Sequence, residues 1–395
     1  MISFVDLQKK ITKLYPKVLQ AHVEQKSIFP LIVPFDKTFP KELSQWHDLI
    51  EPIIAHSREH HQFGYSIAYT QLHMRKHGVQ TVIKEISFDN EAQLIGYLNK
   101  QEEYASFTSN VAKILQHYPV LKTWMSNNTS SILEYELDWD SLLAVVSYFV
   151  SNASPGIFIR EIPVPVHTKF IEQHKAVLYE LLNEVLPPAA IQQQYSGVSQ
   201  FELRFGLKII PARIRIRLLD ATFARYYNNG MTDIEAPVDE LANLEWPLQK
   251  VIVLENKKNF ENAEVFLTLP NMESTAVIFG SGKAVSLLSK LKWLAPIPIL
   301  YWGDIDAEGF EMLHQLRLLF SQTISFCMNE ETYQAFKEFE VKGSGAKERT
   351  LDLLTATEKK LYQQCCTKNM RLEQERIAHP FMLELLRKHI NHFNA

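Results

Sequence analysis

Apolar residues recur at helical spacing between Leu7 and Gln25 (Leu7, Ile11, Leu14, Val18, Leu19, Val23), which predicts one amphipathic helix there. Thr81–Phe88 alternates apolar and polar positions like a short strand, and Ala92–Asn99 and Ala105–Tyr118 return to the helical rhythm. Ile157–Pro165 reads as an extended segment, because Pro163 and Pro165 each disfavour helix in the residue before them. Lys169–Leu186 follows as one amphipathic helix stopped by Pro187 and Pro188. This change of character sets an expected domain boundary near residue 165.

Between Gln200 and Arg225 the run Arg213-Ile214-Arg215-Ile216-Arg217-Leu218 alternates strictly. As a strand it places three guanidinium groups on one face. With Arg204, Lys208 and Arg225 the stretch carries six cations against Glu202 and Asp220. Two readings stand side by side. The arginines form the solvated face of an antiparallel strand, or they form a ridge facing phosphate, whose oxygens match guanidinium forks.

From about residue 245 short apolar runs take over: Val251–Leu254, Ala276–Phe279, Ile297–Trp302 and the less pure Thr323–Met328. Helical patterns at Ala284–Leu294 and Ala307–Phe320 separate the later ones. Apolar strands alternating with helices predict a parallel sheet covered on both faces, hence an α/β protein of more than one domain.

Composition narrows the class. The 395 residues are 46% hydrophobic and 22% charged, which excludes disordered, collagenous and coiled-coil chains. A net charge of -4 means that any nucleic-acid surface must be local. Cys327, Cys365 and Cys366 cannot supply a disulfide framework and point to a reducing cytoplasm. Met1–Asp6 reaches a carboxylate before a signal-like apolar core forms. The longest uncharged apolar run, Trp293–Trp302, is half of the roughly 20 residues a membrane span requires. The expectation is a soluble, cytoplasmic chain with no membrane partner.

Three carboxylates stand where the apolar runs end. Glu255 follows Val251–Leu254, and Asp304 and Asp306 follow Trp302 across Gly303. Ligands of open parallel sheets bind beyond the carboxyl ends of the strands, so the order of the chain delivers all three acids to the functional edge. Hard divalent cations take carboxylate oxygens, with water and phosphate completing the shell, and no His or Cys is present to favour zinc. The competing reading makes Asp304 a cap of the following helix and Glu255 a surface acid. Gly280-Ser281-Gly282-Lys283-Ala284 lacks the earlier glycine and the Ser or Thr of an ATP-binding loop. It reads as a turn opening a helix whose N-terminus lets Lys283 face phosphate. His56, His60, His61, His73 and His77 read as solvated or core histidines, and Tyr195, Tyr226 and Tyr227 as packed aromatics.

Val253–Asn256, Phe279–Lys283 and Tyr301–Phe310 together resemble the toprim pattern, a Glu after the first strand and Asp-x-Asp after the third. With Arg160–Val164, His167–Glu172, Phe201–Leu207 and Arg371–Ile377 added, the stretch from about 157 to 377 resembles the JetD family, nucleases of the Wadjet plasmid-defence system. The toprim domain of that family is akin to that of the topoisomerase VI A subunit. The resemblance implies an N-terminal arm domain over 1–165, a winged-helix-like DNA-binding domain over 166–243 and a C-terminal toprim catalytic domain over 244–395. It further implies a homodimer that cleaves double-stranded plasmid DNA with Mg²⁺ or Mn²⁺, alongside three other subunits forming an SMC-type, condensin-like complex. The family's catalytic and metal-binding acids carry over onto Glu255, Asp304 and Asp306, with Arg371 and Glu373 as further site residues. Lys169, Arg204, Arg213, Arg215, Arg217 and Lys283 are the expected DNA contacts. Two alternatives remain: a topoisomerase VI A-like tyrosine transesterase, and a non-catalytic toprim DNA-binding module whose acids hold a structural ion.

Overall fold

The structure, a computed structural model, describes residues 2–35, 43–74, 78–254, 269–279 and 283–393. It divides into two compact units, Met1–Ile209 and Ile210–Ala395. Residues 166–209 therefore fall with the first unit and 210–243 with the second, so the segment expected as one winged-helix-like domain is shared between them.

The first unit is largely helical. Its small antiparallel sheet consists of β1 (Leu31–Ile32), β2 (Ser66–Met74) and β3 (Gly78–Phe88), with β3 in the middle. The helix expected over Leu7–Gln25 is two helices, Phe4–Thr12 and Tyr15–Glu24. Pro16 stands in the first turn of the second, where its missing N–H costs nothing; inside one continuous helix it would break a rung. Lys169–Leu186 is likewise split into Phe170–Gln173 and Lys175–Val185. At the break the His174 ring stacks on Phe170 with centroids 4.1 Å apart. The extended segment expected around Ile157 is interrupted by a 3₁₀ turn, Ile159–Glu161, because the Glu161 carboxylate accepts the Phe158 N–H at 2.6 Å. Trp139, Phe107, Phe149, Phe201 and Phe205 fill the core of this unit.

The second unit is built on strands β4 (Arg213–Leu218), β5 (Asp233–Pro237), β6 (Lys250–Leu254), β7 (Thr275–Phe279), β8 (Ile299–Trp302) and β9 (Thr323–Ser325). Among the described residues they form one six-stranded sheet in the order β5-β4-β7-β6-β8-β9. β7, β6, β8 and β9 run parallel, as the apolar runs predicted, and the residues of β8 are buried throughout. β4 pairs antiparallel with both β7 and β5, so the sheet is mixed and the Arg-rich strand is part of it. Ile214, Ile216 and Leu218 supply the buried face of β4, which is why its pattern alternates where that of β6 does not. Asp220 ties the hairpin to the parallel strands. Its carboxylate accepts the N–H groups of Thr222 (2.9 Å) and Phe223 (3.0 Å), capping helix Ala221–Tyr227, and that of Ser274 (3.0 Å) at the start of β7.

Helix Ala307–Leu319 packs beside β9 and is fastened to helix Ala356–Lys368 by a buried ion pair. Arg317 donates to both oxygens of Glu358 at 2.6 and 3.0 Å and also to the carbonyls of Thr323 and Leu353. Glu358 further accepts the Ser325 hydroxyl at 2.6 Å and the Thr355 N–H at 2.7 Å. The run expected as a strand to Met328 ends at Ser325, because Cys327 adopts a left-handed conformation and turns the chain. The helix expected over Ala284–Leu294 is Lys283–Leu288 followed by a 3₁₀ turn, Lys292–Leu294. Among the described residues no helix is long and apolar enough to cross a membrane.

Candidate metal centre

Where β8 ends, the chain leaves the sheet through Gly303, whose N–H reaches the Met328 sulfur at 3.3 Å. Asp304 and Asp306 come next and are 5% and 7% exposed, which is unusual for carboxylates and demands partners. Apart from the Gly309 N–H, those partners come from a segment far along the chain. Ile305, between the two acids, exchanges backbone hydrogen bonds with Leu372 at 3.0 and 3.1 Å. This bridge extends the short antiparallel pair of β10 (Val341–Lys342) and β11 (Met370–Arg371) and aligns Arg371 with the acids.

Arg371 donates through Nε and Nη2 to Oδ2 of Asp304 at 3.2 and 2.6 Å. The same Nε lies 3.4 Å from Oδ2 of Asp306. Oδ1 of Asp304 accepts the Gln374 N–H at 2.9 Å, and the Gln374 side-chain amide donates to the Trp302 carbonyl. Oδ1 of Asp306 accepts the Gly309 N–H at 2.8 Å and so caps helix Ala307–Leu319. The capping role that the competing reading gave Asp304 belongs to Asp306. Burial pushes the Asp306 carboxyl above its ordinary range; the Gly309 N–H opposes this, the Asp304 charge adds to it and Arg371 offsets part. Glu373 stands 3.7 Å from Arg371 and pairs with Arg376 at 2.9 Å.

Two carboxylates on one strand exit are an oxygen-only donor set, which suits a hard divalent ion completed by water and phosphate. Among the described residues no three His, Cys, Asp or Glu side chains form a metal-holding group. Glu255 lies outside the described residues; Leu254, which precedes it, pairs in register with Trp302. Asp304, Asp306, Arg371 and Glu373 are therefore brought together, 67 residues separating Asp304 from Arg371.

The expected DNA contacts divide between the units, Lys169 and Arg204 in the first and Arg213, Arg215, Arg217 and Lys283 in the second. Lys169 is exposed in the first unit. Arg204 is turned inward: Nε and Nη2 donate to Asn183, Nη1 donates to the Tyr195 carbonyl, and its guanidinium lies over the Tyr179 ring. In the second unit Arg215 grips Asp233 bidentately at 2.9 and 2.7 Å, and Arg213 donates to the Glu235 carbonyl at 2.6 Å. Arg217 stands opposite Asp233 in the ladder, and burial lowers its pKa. Cross-strand acids thus meet Arg213 and Arg215. Lys283 opens helix Lys283–Leu288, its side chain lying outside the described residues. Tyr226 and Tyr227 are not packed as expected: they are 79% and 51% exposed, though the Tyr227 ring lies tilted against Phe223 with centroids 4.6 Å apart. His56 and His61 lie with rings 5.6 Å apart, and His77 is outside the described residues.

Sequence reasoning missed Gln374. Its backbone orients Asp304 and its side chain ties down the end of β8, yet an uncharged amide among Glu373, Glu375 and Arg376 carries no periodic signal.

Residues 206–386 match the family model described as Wadjet protein JetD, C-terminal. Residues 5–183 match one described as uncharacterized protein conserved in bacteria N-term (DUF3322). No curated protein matches the chain. The change from one family to the other falls between 183 and 206, close to the division of the structure after Ile209. The acidic strand exit lies inside the first match, so residues 206–386 belong to the family of the JetD C-terminal region and residues 5–183 to the uncharacterized N-terminal family.

Proposed function

We propose that the chain is a divalent-metal-dependent DNA endonuclease of toprim type. Asp304 and Asp306, with Glu255, would hold Mg²⁺ or Mn²⁺ for the chemistry at a scissile phosphate. The observation that carries this reading is the pairing of two buried carboxylates on a single guanidinium at the carboxyl end of a parallel sheet. When bound, the ion would supply a Lewis acid that polarises phosphoryl oxygens and lowers the pKa of an attacking water. The chain's own share is positional. Gln374 fixes one oxygen of Asp304 and the cap onto Gly309 fixes one of Asp306, so the acids themselves need little reorientation to receive charge. Phosphate contacts on this reading come from the exposed Lys169, from Arg213 and from Lys283, rather than from the inward-turned Arg204.

The match of residues 206–386 to the JetD C-terminal family supports assigning the substrate as plasmid DNA and the setting as a homodimer working with an SMC-type complex in the cytoplasm. An arm domain over 1–165 and a winged-helix-like module over 166–243 belong to the same proposal. The exposure of Tyr226 and Tyr227 keeps a tyrosine transesterase in view. One assay separates the readings. Supercoiled plasmid incubated with purified protein and Mg²⁺ or Mn²⁺, with and without the partner complex, is expected to be nicked or linearised, and EDTA to stop this. A protein–DNA adduct that survives denaturant would favour the transesterase. Failure to cut under any metal condition, partners included, would leave only a binding module.

A further inference from the structure

We propose that Arg371 is the resident counter-cation of the acidic pair: it competes with a divalent ion for the Asp304 carboxylate and so sets the metal affinity of the site. This rests on the reading of Asp304 and Asp306 as metal ligands.

One guanidinium spans both acids, with two N–H groups on Oδ2 of Asp304 at 3.2 and 2.6 Å and Nε 3.4 Å from Oδ2 of Asp306. The remaining oxygens are turned to backbone donors, Oδ1 of Asp304 to Gln374 and Oδ1 of Asp306 to Gly309. A carboxylate oxygen has two lone-pair directions, and on Oδ2 of Asp304 both receive an N–H of Arg371. An ion binding through that oxygen must displace at least one of them. The charges agree: two carboxylates and one guanidinium leave the trio short of one positive charge. A divalent ion added without displacement would stand beside a second cation in a desolvated pocket.

The displaced group also has somewhere to go. The Arg371 side chain is 35% exposed, and Glu373 stands 3.7 Å from the same Nη2 that donates to Asp304, itself anchored by Arg376 at 2.9 Å. Rotation of the guanidinium from Asp304 to Glu373 exchanges one carboxylate for another. The backbone bridge between Ile305 and Leu372 does not depend on that rotation.

Mn²⁺ binding to the full chain, measured by titration calorimetry and by the paramagnetic resonance of free Mn²⁺, tests this without any cleavage assay. Arg371→Gln is expected to bind Mn²⁺ about tenfold more tightly than wild type, a change of about 1.4 kcal/mol. Arg371→Lys, keeping the charge but losing the fork, should fall between the two. Asp304→Asn should bind at least about tenfold more weakly than wild type, by loss of a charged ligand. Equal or weaker binding by Arg371→Gln, with wild type binding normally, would overturn the counter-cation role and leave the metal reading standing. If neither protein binds Mn²⁺ at millimolar concentration, the metal reading itself fails. Should Arg371→Gln not fold, Arg371→Lys decides: tighter binding supports the competition, and unchanged or weaker binding overturns it.

Discussion

Asp304→Asn is expected to cut metal-dependent cleavage of supercoiled plasmid to below about one thousandth of the wild-type rate, the scale on which loss of a single preorganised electrostatic group acts. The substitution removes the negative charge but hardly changes shape. An Asn oxygen can still accept the Gln374 N–H that Oδ1 of Asp304 accepts at 2.9 Å, and the Ile305–Leu372 bridge is untouched. What it loses is an anionic oxygen for a hard cation and the charge that holds Arg371. A near-native circular dichroism spectrum together with lost cleavage would therefore locate the effect in the chemistry. Glu255→Ala should behave in the same way. Nicking by the Asp304→Asn protein at more than about a tenth of the wild-type rate would sink the assignment, since a metal ligand is not so easily spared.

Glu358→Gln is expected to destabilise the C-terminal unit by about 3–5 kcal/mol, because it leaves the Arg317 charge buried without its partner. Side-chain exposures of 11% for Arg317 and 7% for Glu358 show how little water could replace the bond. Taking about 2–4 °C per kcal/mol for a unit of this size, calorimetry should show its melting transition lowered by about 10 °C. A fall of less than about 3 °C would mean that the pair is replaceable by solvent. The same contact gives the unit an acid-labile component. Burial alone would raise the Glu358 carboxyl, but the Arg317 fork, the Ser325 hydroxyl and the Thr355 N–H outweigh it and hold the folded-state value below the ordinary range. The resulting stability is present above the unfolded carboxyl's pKa and is lost as pH falls through the depressed folded one. Glu358→Gln should accordingly flatten the acid side of the stability profile.

The strands of the parallel sheet were legible because β6, β7 and β8 are buried on both faces and hence apolar without interruption. The same runs fixed where Asp304 and Asp306 emerge. The partners of β4 were not legible. Its alternation states that one face is buried, and an antiparallel strand closing a parallel sheet has that pattern as much as a hairpin in a separate domain does. Nor was the tie between Arg371 and Asp304, which depends on a single backbone bridge at Ile305 and Leu372 rather than on any periodic run. Breaks at His174 and beside Pro16 show the opposite limit: amphipathic spacing survives an interruption and so conceals it.

The hydrogen bonding of β4 to β7 has a practical corollary for dissecting the molecule. A fragment begun at residue 244 would lack β4 and β5, stripping Ile216, Arg217 and Leu218 from their ladder with Ala276, Val277 and Ile278. Those three residues of β7 are wholly buried in the intact chain, and the cut would turn a central strand into a bare apolar rim able to recruit other chains. Truncation at that point should yield inclusion bodies, whereas a fragment begun at Ile210 keeps the rim sealed.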